Sequence, residues 1–143
     1  MDAQKFRLCV TTPKKVKYEG DAQMVIVRCI TGDMGIMANH EPTSAILDDG
    51  VLRVINDDEE RRMAVYGGII QIQDNLVTIL ANDAQWAEEI DVALAEAQRE
   101  QLMREMQDSA DDLLIARDQI LMRRTLVQIE VSTFPLVGGG AKH

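Results

Sequence analysis

The sequence predicts an α+β fold whose two classes of secondary structure are segregated, with an antiparallel β-sandwich or barrel first and an antiparallel two-helix hairpin second. Two observations predict this. Short apolar runs alternate with turn residues until about residue 81, and after Ala84 no glycine appears until Gly138. The second half is rich in Ala, Leu, Met, Gln, Glu and Arg, which are strong helix formers. We therefore expect a sandwich at 1–83 and a hairpin at 84–143.

The first half has the alternation and the turn signals of an antiparallel sheet. Phe6, Leu8 and Val10 alternate with more polar residues, which is typical of a half-buried strand. Many short strands at this spacing favour a sandwich or barrel over alternating strand–helix units. Gly67-Gly68 indicates a bulge or a close backbone approach. Turn residues separate further strand-like runs at 16–18, 24–30, 51–55, 63–66, 69–73 and 76–80.

The second half predicts two helices with a short break at 107–111, which implies an antiparallel hairpin. Asp83 is the expected N-cap of the first helix and Ser109 that of the second. The run Gly138-Gly139-Gly140 is expected to be a frayed, flexible tail.

The second helix carries apolar residues on two nearly opposite sides when they are plotted at about 100° per residue. Apolar faces on both sides indicate burial on both sides. The first helix can cover one face, and the other either packs on the sandwich or docks on a partner; both hold if the hairpin moves. One side carries Leu113, Ala116, Ile120, Val127 and Val131, and the other carries Ile115, Met122, Leu126 and Ile129.

Composition excludes several classes of function. The 24 acids and 15 bases give a formal net charge of −9, which argues against nucleic acid and against anionic lipid as partners. No apolar run is long enough to span a bilayer, and the N-terminus lacks the pattern of a signal peptide. Cys9 and Cys29 lie in strand-like runs, where two reduced thiols in the cytosol are favoured over a disulfide between neighbouring strands.

Catalytic chemistry is poorly represented. His40 and His143 are the only imidazoles, and no nucleophile, phosphate-loop or zinc-spacing motif occurs. Asp33, His40 and Glu41 could be drawn as a metal site, but three such residues in one loop are common by chance. We therefore expect a binding role rather than catalysis and no metal.

The most distinctive segment is Gly32-Asp33-Met34-Gly35-Ile36-Met37-Ala38-Asn39-His40-Glu41-Pro42. Its two glycines suggest a sharply shaped loop between two strands. Met34, Ile36 and Met37 are expected to be exposed on this loop. Exposed apolar residues need a burial partner, which is either the chain's own core or another protein.

Three segments in order resemble motifs of a known family. The Gly32-to-Pro42 segment is similar to its Gly-acid-hydrophobic-Gly-Ile-x-x-x-His-x-Pro run. The strands Tyr66-Gly67-Gly68-Ile69-Ile70-Gln71-Ile72 and Asn75-Leu76-Val77-Thr78-Ile79-Leu80-Ala81 resemble its Ser-Gly-Gly-hydrophobic and Asn-x-Val-Thr-hydrophobic-Leu-Ala strands. The family is the epsilon subunit of the bacterial F-type ATP synthase, and the resemblance covers essentially the whole chain.

The resemblance implies a sandwich of about ten strands followed by the hairpin. It implies a non-catalytic subunit of the central stalk, whose sandwich binds the gamma subunit and the ring of c subunits. It also implies that the hairpin opens toward the alpha/beta catalytic head and blocks ATP hydrolysis. The complex would hold the chain peripherally at the cytoplasmic face of the bacterial plasma membrane. Carried over to this sequence, the ring contact comprises Gly32, Asp33, Met34, Gly35, Ile36, Met37 and His40. The two-sided apolar pattern of the second helix, rather than a family motif, predicts the regulatory hairpin face as Ile115, Met122, Leu126 and Ile129.

One feature of the family is incomplete. Some members bind ATP through Ile-Asp-x-x-Arg-Ala on the first helix, whereas this chain has Leu94 in place of the arginine. Leucine offers no donors to phosphate. Asp91 and Arg124 remain candidate nucleotide contacts, although Arg124 is equally a cation near the end of the second helix. We therefore expect no cofactor. The alternative function is a free-standing ligand- or nucleotide-sensing module.

Overall fold

The computed structural model describes residues 4–133, and the predicted glycine tail lies outside them. Strands precede helices, which confirms the segregated α+β class. A short 3-10 helix, Ala87–Glu89, precedes two long helices, α1 (Val92–Asp108) and α2 (Asp112–Thr133). The strands are β1 (Phe6–Thr11), β2 (Val16–Ala22), β3 (Met24–Cys29), β4 (Gly32–Met37), β5 (Thr43–Asn56), β6 (Glu59–Gln73), β7 (Leu76–Ala81) and β8 (Ala84–Trp86).

The strands pair in the order β2-β1-β7-β6-β5-β3-β4, and β8 pairs with β6. Neighbouring strands are antiparallel except β1 and β7, which are parallel. The two outermost strands of this path are β2 and β4. The expectation of a loop at the start of the Gly32-to-Pro42 segment was therefore wrong. Gly32–Met37 is an edge strand that is hydrogen-bonded to β3.

The described residues contain eight strands rather than the expected count of about ten. The difference lies in β5 and β6, which are 14 and 15 residues long. The separate runs expected at 63–66 and 69–73 are one strand, because β6 continues through Gly67-Gly68. Both glycines have positive φ, and a Cβ at Gly68 would lie 2.2 Å from the Leu80 carbonyl oxygen. The close backbone approach is therefore confirmed at Gly68.

The core of the sandwich is formed by inward-facing side chains, which alternate with outward-facing ones along each strand, as the sequence pattern predicts. Its largest fully buried side chains include Phe6, Leu8, Leu52, Met63 and Ile70. A second, smaller apolar cluster lies between α2 and the outer face of β5 and β6. The two cysteines are free thiols; Cys29 is buried and Cys9 is partly buried.

The helices pack against each other as a hairpin, with the break at Ser109–Asp111 as predicted. The expected N-caps were wrong. Asp91 caps α1 by accepting a hydrogen bond from the Leu94 amide at 3.1 Å, and Asp111 Oδ1 accepts from the Leu113 amide at the start of α2. None of the helices within residues 4–133 is long and apolar enough to cross a membrane.

Candidate partner-binding surfaces

Strand β4 presents one side to the core and the other to solvent, because side chains alternate along a strand. Ile36 is 0% exposed and Met34 packs partly against the same core. Asp33, Gly35 and Met37 point outward, and Met37 is 57% exposed. The expectation of an exposed side chain was therefore wrong for Ile36 and is confirmed for Met37.

The turn after β4 is fixed by side-chain hydrogen bonds. Asn39 has φ 64°, its amide donates to Asn75 Oδ1 at 2.8 Å, and its side chain donates to Gln4. His40 is half-buried, and its Nδ1 lies 2.8 Å from the Glu41 carbonyl oxygen, which assigns the ring proton to Nδ1. Over residues 4–133 no three His, Cys, Asp or Glu side chains are grouped as a metal site would require. The hydrogen bonds of Asn39 and His40 thus define the conformation of the turn beside the exposed side of β4.

A row of exposed apolar side chains crosses three neighbouring strands and reaches the turn after β3, and sequence reasoning missed it. Ile46 lies opposite Ile69, Ile69 lies opposite Leu80, and the Ile30 amide donates to the Ile46 carbonyl at 3.0 Å. The exposed fractions of these four residues run from 40% to 61%. We call Ile30, Ile46, Ile69 and Leu80 the apolar row. The signal was available, because three of them directly adjoin the core residues Leu47, Ile70 and Ile79 and so must face outward.

The C-terminal half of α2 docks on the outer face of β5 and β6. Val127 and Val131 are buried there against Val51, Ala64 and Tyr66. This confirms that the sandwich covers part of one apolar side of α2. The N-terminal half of that side is uncovered, since Leu113 is 82% exposed and Ile120 is 67% exposed.

Two ion pairs flank this docked patch. Arg124 Nη2 donates to Asp83 Oδ2 at 2.6 Å, and its guanidinium lies 3.8 Å from the centre of the Tyr66 ring. Partial burial raises the pKa of Asp83, but the hydrogen bonds from Arg124 and the Ala84 amide outweigh it and hold the pKa below its ordinary value. On the other side, Arg28 donates two hydrogen bonds to Glu130, which raise the pKa of the guanidinium.

The hydroxyl of Tyr66 completes the docked interface. It donates to Gln85 Oε1 at 2.6 Å, and Gln128 of α2 donates to the same oxygen at 3.0 Å. Burial raises the pKa of Tyr66 to about 12, against the opposing effect of Arg124. The ring therefore stays neutral and available for stacking under Arg124.

The predicted regulatory face of α2 lies mostly within the hairpin. Ile115, Met122 and Ile129 are half-buried and share a side of α2 with the buried residues Asp118 and Thr125. That side is opposite Val127 and Val131 and packs on α1, where Ala95 and Leu102 are buried. The expectation of an outer face was therefore wrong for these three residues, and only Leu126, at 46%, is exposed.

The two nucleotide candidates already have structural roles. Asp91 caps α1 and Arg124 pairs with Asp83 over Tyr66. Leu94, at the position of the family's arginine, is 66% exposed. A cavity of about 580 Å³ does lie between the helices, but it is lined by Gln101, Arg104, Asp108 and Asp118 near the hairpin turn, at the far end from Asp91.

Comparison with known proteins gives consistent matches along the chain. Residues 5–87 match the family described as ATP synthase, Delta/Epsilon chain, beta-sandwich domain. An ATP synthase epsilon chain of Syntrophomonas wolfei is 34% identical over 132 residues, with 92% of this chain and 96% of the relative covered. The epsilon chain of Caldanaerobacter subterraneus is 31% identical, with 90% and 94% covered.

Two solved assemblies contain chains with the same fold. One is the Euglena gracilis mitochondrial ATP synthase, resolved as OSCP/F1/c-ring, where the match has a TM-score of 0.79 at 22% identity and covers 91% of this chain and 82% of that one. The other is the central stalk and c-ring of the Tetrahymena thermophila mitochondrial ATP synthase, with a TM-score of 0.59 at 14% identity and coverage of 93% and 100%.

Proposed function

Because the chain belongs to the delta/epsilon chain family of ATP synthases, we propose that it is a non-catalytic rotor subunit that connects the gamma subunit to the c ring. The observation that carries this is the 34% identity to an epsilon chain along 92% of the sequence, through both the sandwich and the hairpin. In this role the chain is peripheral, held at the cytoplasmic face of the membrane by its complex.

The exposed side of β4 is the proposed contact with the c ring. It presents Asp33 and Met37, while Gly32 and Gly35 add no side chains that would hold a partner away. Ile36 and Met34 lie on the opposite side of the strand and attach it to the core. His40 lies in the hydrogen-bonded turn at the end of the strand. A shallow cavity of about 470 Å³ beside Met37, lined also by Met24 and Ile55, gives an apolar partner side chain a place to pack.

The apolar row is the proposed contact with the gamma subunit. Three exposed branched side chains aligned across three strands, with Ile30 in the turn after β3, form a contiguous apolar surface, which marks a protein interface more often than a free surface. The row lies on outward-facing positions of β5, β6 and β7, away from the residues that the hairpin covers. Both rotor contacts can therefore form while the hairpin stays docked.

The ring contact is tested by Met37→Lys in the assembled enzyme. A buried lysine in an apolar contact is costly, so we expect ATP-driven ion pumping to fall while the isolated subunit stays folded. Val16→Lys is the matched control, because Val16 is 54% exposed on β2, the opposite edge of the sheet. Normal pumping by the Met37→Lys enzyme would remove β4 from the ring contact.

The gamma contact is tested by Ile46→Asp with Ile69→Asp. These changes place two carboxylates directly opposite each other in the middle of the apolar row. We expect the subunit to co-purify poorly with gamma, whereas Val16→Asp should co-purify normally. Retention of gamma by the double variant would show that another surface makes the contact.

The hairpin is the proposed inhibitor of ATP hydrolysis. In the docked state the two most exposed apolar side chains of α2 are Leu113 and Ile120, with Leu126 to one side. Undocking would add Val127 and Val131 to the same side of α2 and produce one continuous apolar stripe along the helix. That stripe suits docking on the alpha/beta head, and the acidic composition of the chain leaves little role for charge attraction.

Inhibition is tested with a chain that ends at Ile90, which keeps β8 and the 3-10 helix and removes both long helices. We expect the enzyme carrying this short chain to hydrolyse ATP faster. Leu113→Asp with Ile120→Asp should reproduce the acceleration, and Arg123→Ala should not. Equal rates for the full and the short chain would leave the hairpin as a cover for β5 and β6 only.

A further inference from the structure

Arg28 occupies a junction between the exposed strand β4 and the docked hairpin. From β3 its guanidinium donates to both carboxylate oxygens of Glu130 on α2, at 3.2 and 2.8 Å. Its Nε also lies 3.6 Å from Asp33 Oδ1 on β4. Two carboxylates from different elements therefore share one cation. Asp33 is the more exposed of the two, with a side chain 67% accessible against 37% for Glu130.

Gly50 on β5 provides the space that lets Arg28 reach across to α2. A Cβ at Gly50 would lie 2.7 Å from both Cβ and Cδ of Arg28 and 2.9 Å from its Nε. Gly50 does not have a positive φ, so space rather than backbone conformation requires glycine here. The arginine is thus seated in a specific groove of the sandwich rather than lying loosely on its surface.

We propose that Arg28 couples the charge at Asp33 to the docking of the hairpin, so that a cationic partner group placed against Asp33 tightens the docked state. With Asp33 ionised, the guanidinium is attracted by both carboxylates, and these repel each other. A partner cation at Asp33 neutralises this carboxylate, so that Arg28 interacts with Glu130 without competition. By linkage, a docked hairpin strengthens the binding of the cationic partner at β4 to the same extent.

This coupling gives the proposed rotor function a means of regulation: contact at β4 would hold the hairpin away from the catalytic head. That biological role rests on the proposed ring contact. The coupling itself is a property of the isolated chain, so its test needs neither the ring nor the gamma subunit. A failure of the coupling is therefore distinguishable from a failure of the proposed function.

The test measures how often the hairpin undocks. Val127→Cys places a thiol in the docked interface, where the native residue is 4% exposed, and its rate of alkylation reports the fraction of open molecules. Cys9 is replaced by serine, and the same chain without Val127→Cys corrects for the buried Cys29. All variants are compared in this background, at low salt and neutral pH, after their urea unfolding midpoints have been checked.

Asp33→Asn imitates a neutralised Asp33 and is expected to slow alkylation about threefold, in the range of partly exposed ion pairs. Asp21→Asn is the matched control, because it removes an exposed acid from the opposite edge strand. In an Arg28→Gln background Asp33→Asn should have a clearly smaller effect, because only the direct repulsion between Asp33 and Glu130 remains. High salt should reduce the effect of Asp33→Asn as well, because these side chains are solvent-accessible.

Gly50→Ala tests the space that Arg28 occupies above β5, and Glu130→Gln tests its partner on α2. Both should speed alkylation and abolish the response to Asp33→Asn, and Glu130→Gln does so without steric change in the sheet. The proposal is overturned if Asp33→Asn leaves the alkylation rate unchanged. It is also overturned if Asp33→Asn slows the rate equally in the Arg28→Gln background, or if Asp21→Asn slows it as much.

Discussion

The sandwich and the hairpin differ in what they bury. In the sandwich the buried side chains are apolar throughout the described core, from Phe6 on β1 to Ala84 on β8. In α1 and α2 six residues are buried, and two of them, Asp118 and Thr125, are polar. The interface between α1 and α2 is therefore weaker than the core that holds the strands together.

This difference indicates which region of the molecule is stable and which region can change its conformation. Apolar burial is the main driving force of folding, so the sandwich is the stable platform. The hairpin is held to it by one small apolar cluster, the Gln128–Gln85 hydrogen bond and two flanking ion pairs, Arg124–Asp83 and Arg28–Glu130. Elements with few buried apolar contacts open at the lowest free energy. We expect the hairpin to undock while the sandwich remains folded.

The largest expected effect contrasts two neighbouring residues of β4. Ile36→Ala should lower the free energy of unfolding of the sandwich by about 2–5 kcal/mol, because it empties a fully buried position. Met37→Ala should change it by no more than about 0.5 kcal/mol, because the side chain faces solvent. Urea unfolding of both variants measures the difference. Equal losses would contradict the alternation that places Ile36 in the core.

Sequence reasoning predicted the order of strands and helices, the break between the helices and the core side of most strands. It misplaced Ile36, because two glycines within one segment suggested a loop and concealed the period-two alternation of an edge strand. It also divided β6 at Gly67-Gly68, where positive φ is accommodated within a continuous strand. Local glycine signals were read as chain breaks, whereas pairing with neighbouring strands keeps these segments extended.

The contacts between the hairpin and the sandwich could not be predicted from the sequence. Asp83 pairs with Arg124 and Arg28 pairs with Glu130, and each pair joins residues far apart in the chain. No local pattern links such residues. The two apolar sides of α2 were identified correctly, but assigning them to α1, to the sheet or to solvent needs the position of the helix. That position determines why Ile115 is covered while Leu113 is free.

A second prediction strengthens the weaker region. Asp118 is 2% exposed between the helices, and Arg117 Nη2 lies 3.5 Å from its Oδ1, a long distance for a hydrogen bond. Asp118→Leu should stabilise the pairing of α1 and α2 by about 1 kcal/mol, since an apolar residue avoids the cost of burying a charge. Amide hydrogen exchange of both helices measures this gain. The exposed neighbour supplies the control, as Gln119→Leu should give no comparable gain, and faster exchange in Asp118→Leu would show that the carboxylate is structurally required.

A third prediction concerns pH and the Arg124–Asp83 pair. The pKa of Asp83 is lowered in the folded state, so its contribution is present above the unfolded pKa of about 3.8 and is lost as pH falls through the folded pKa. Docking of the hairpin should therefore weaken in acid below pH 4. Both side chains are more than a third exposed, so the coupling in a double-mutant cycle of Asp83→Asn and Arg124→Gln should be only about 0.5 kcal/mol.

The cycle and the pH series use the alkylation of a cysteine at position 127 as their measurement. A pH dependence that persists unchanged in Asp83→Asn would show that the Arg124–Asp83 pair is not its source. Tyr66→Phe keeps the ring under Arg124 and removes only the hydroxyl that donates to Gln85. It should leave the Arg124–Asp83 coupling intact while weakening docking slightly.

The smallest expected effect is that of ATP on the isolated chain. Phosphate recognition needs a free cation near the start of α1, but Leu94 supplies none and Arg124 is already paired with Asp83 and stacked on Tyr66. Asp91 is engaged as the N-cap of α1. Calorimetry should therefore detect no binding at micromolar ATP, and Leu94→Arg should add little while the hairpin is docked. Because Asp83 competes for Arg124, Leu94→Arg combined with Asp83→Asn is the variant best able to gain affinity. Micromolar binding by the native chain would show that other residues supply the phosphate contacts, and loss of that binding in Arg124→Gln would identify Arg124 as one of them.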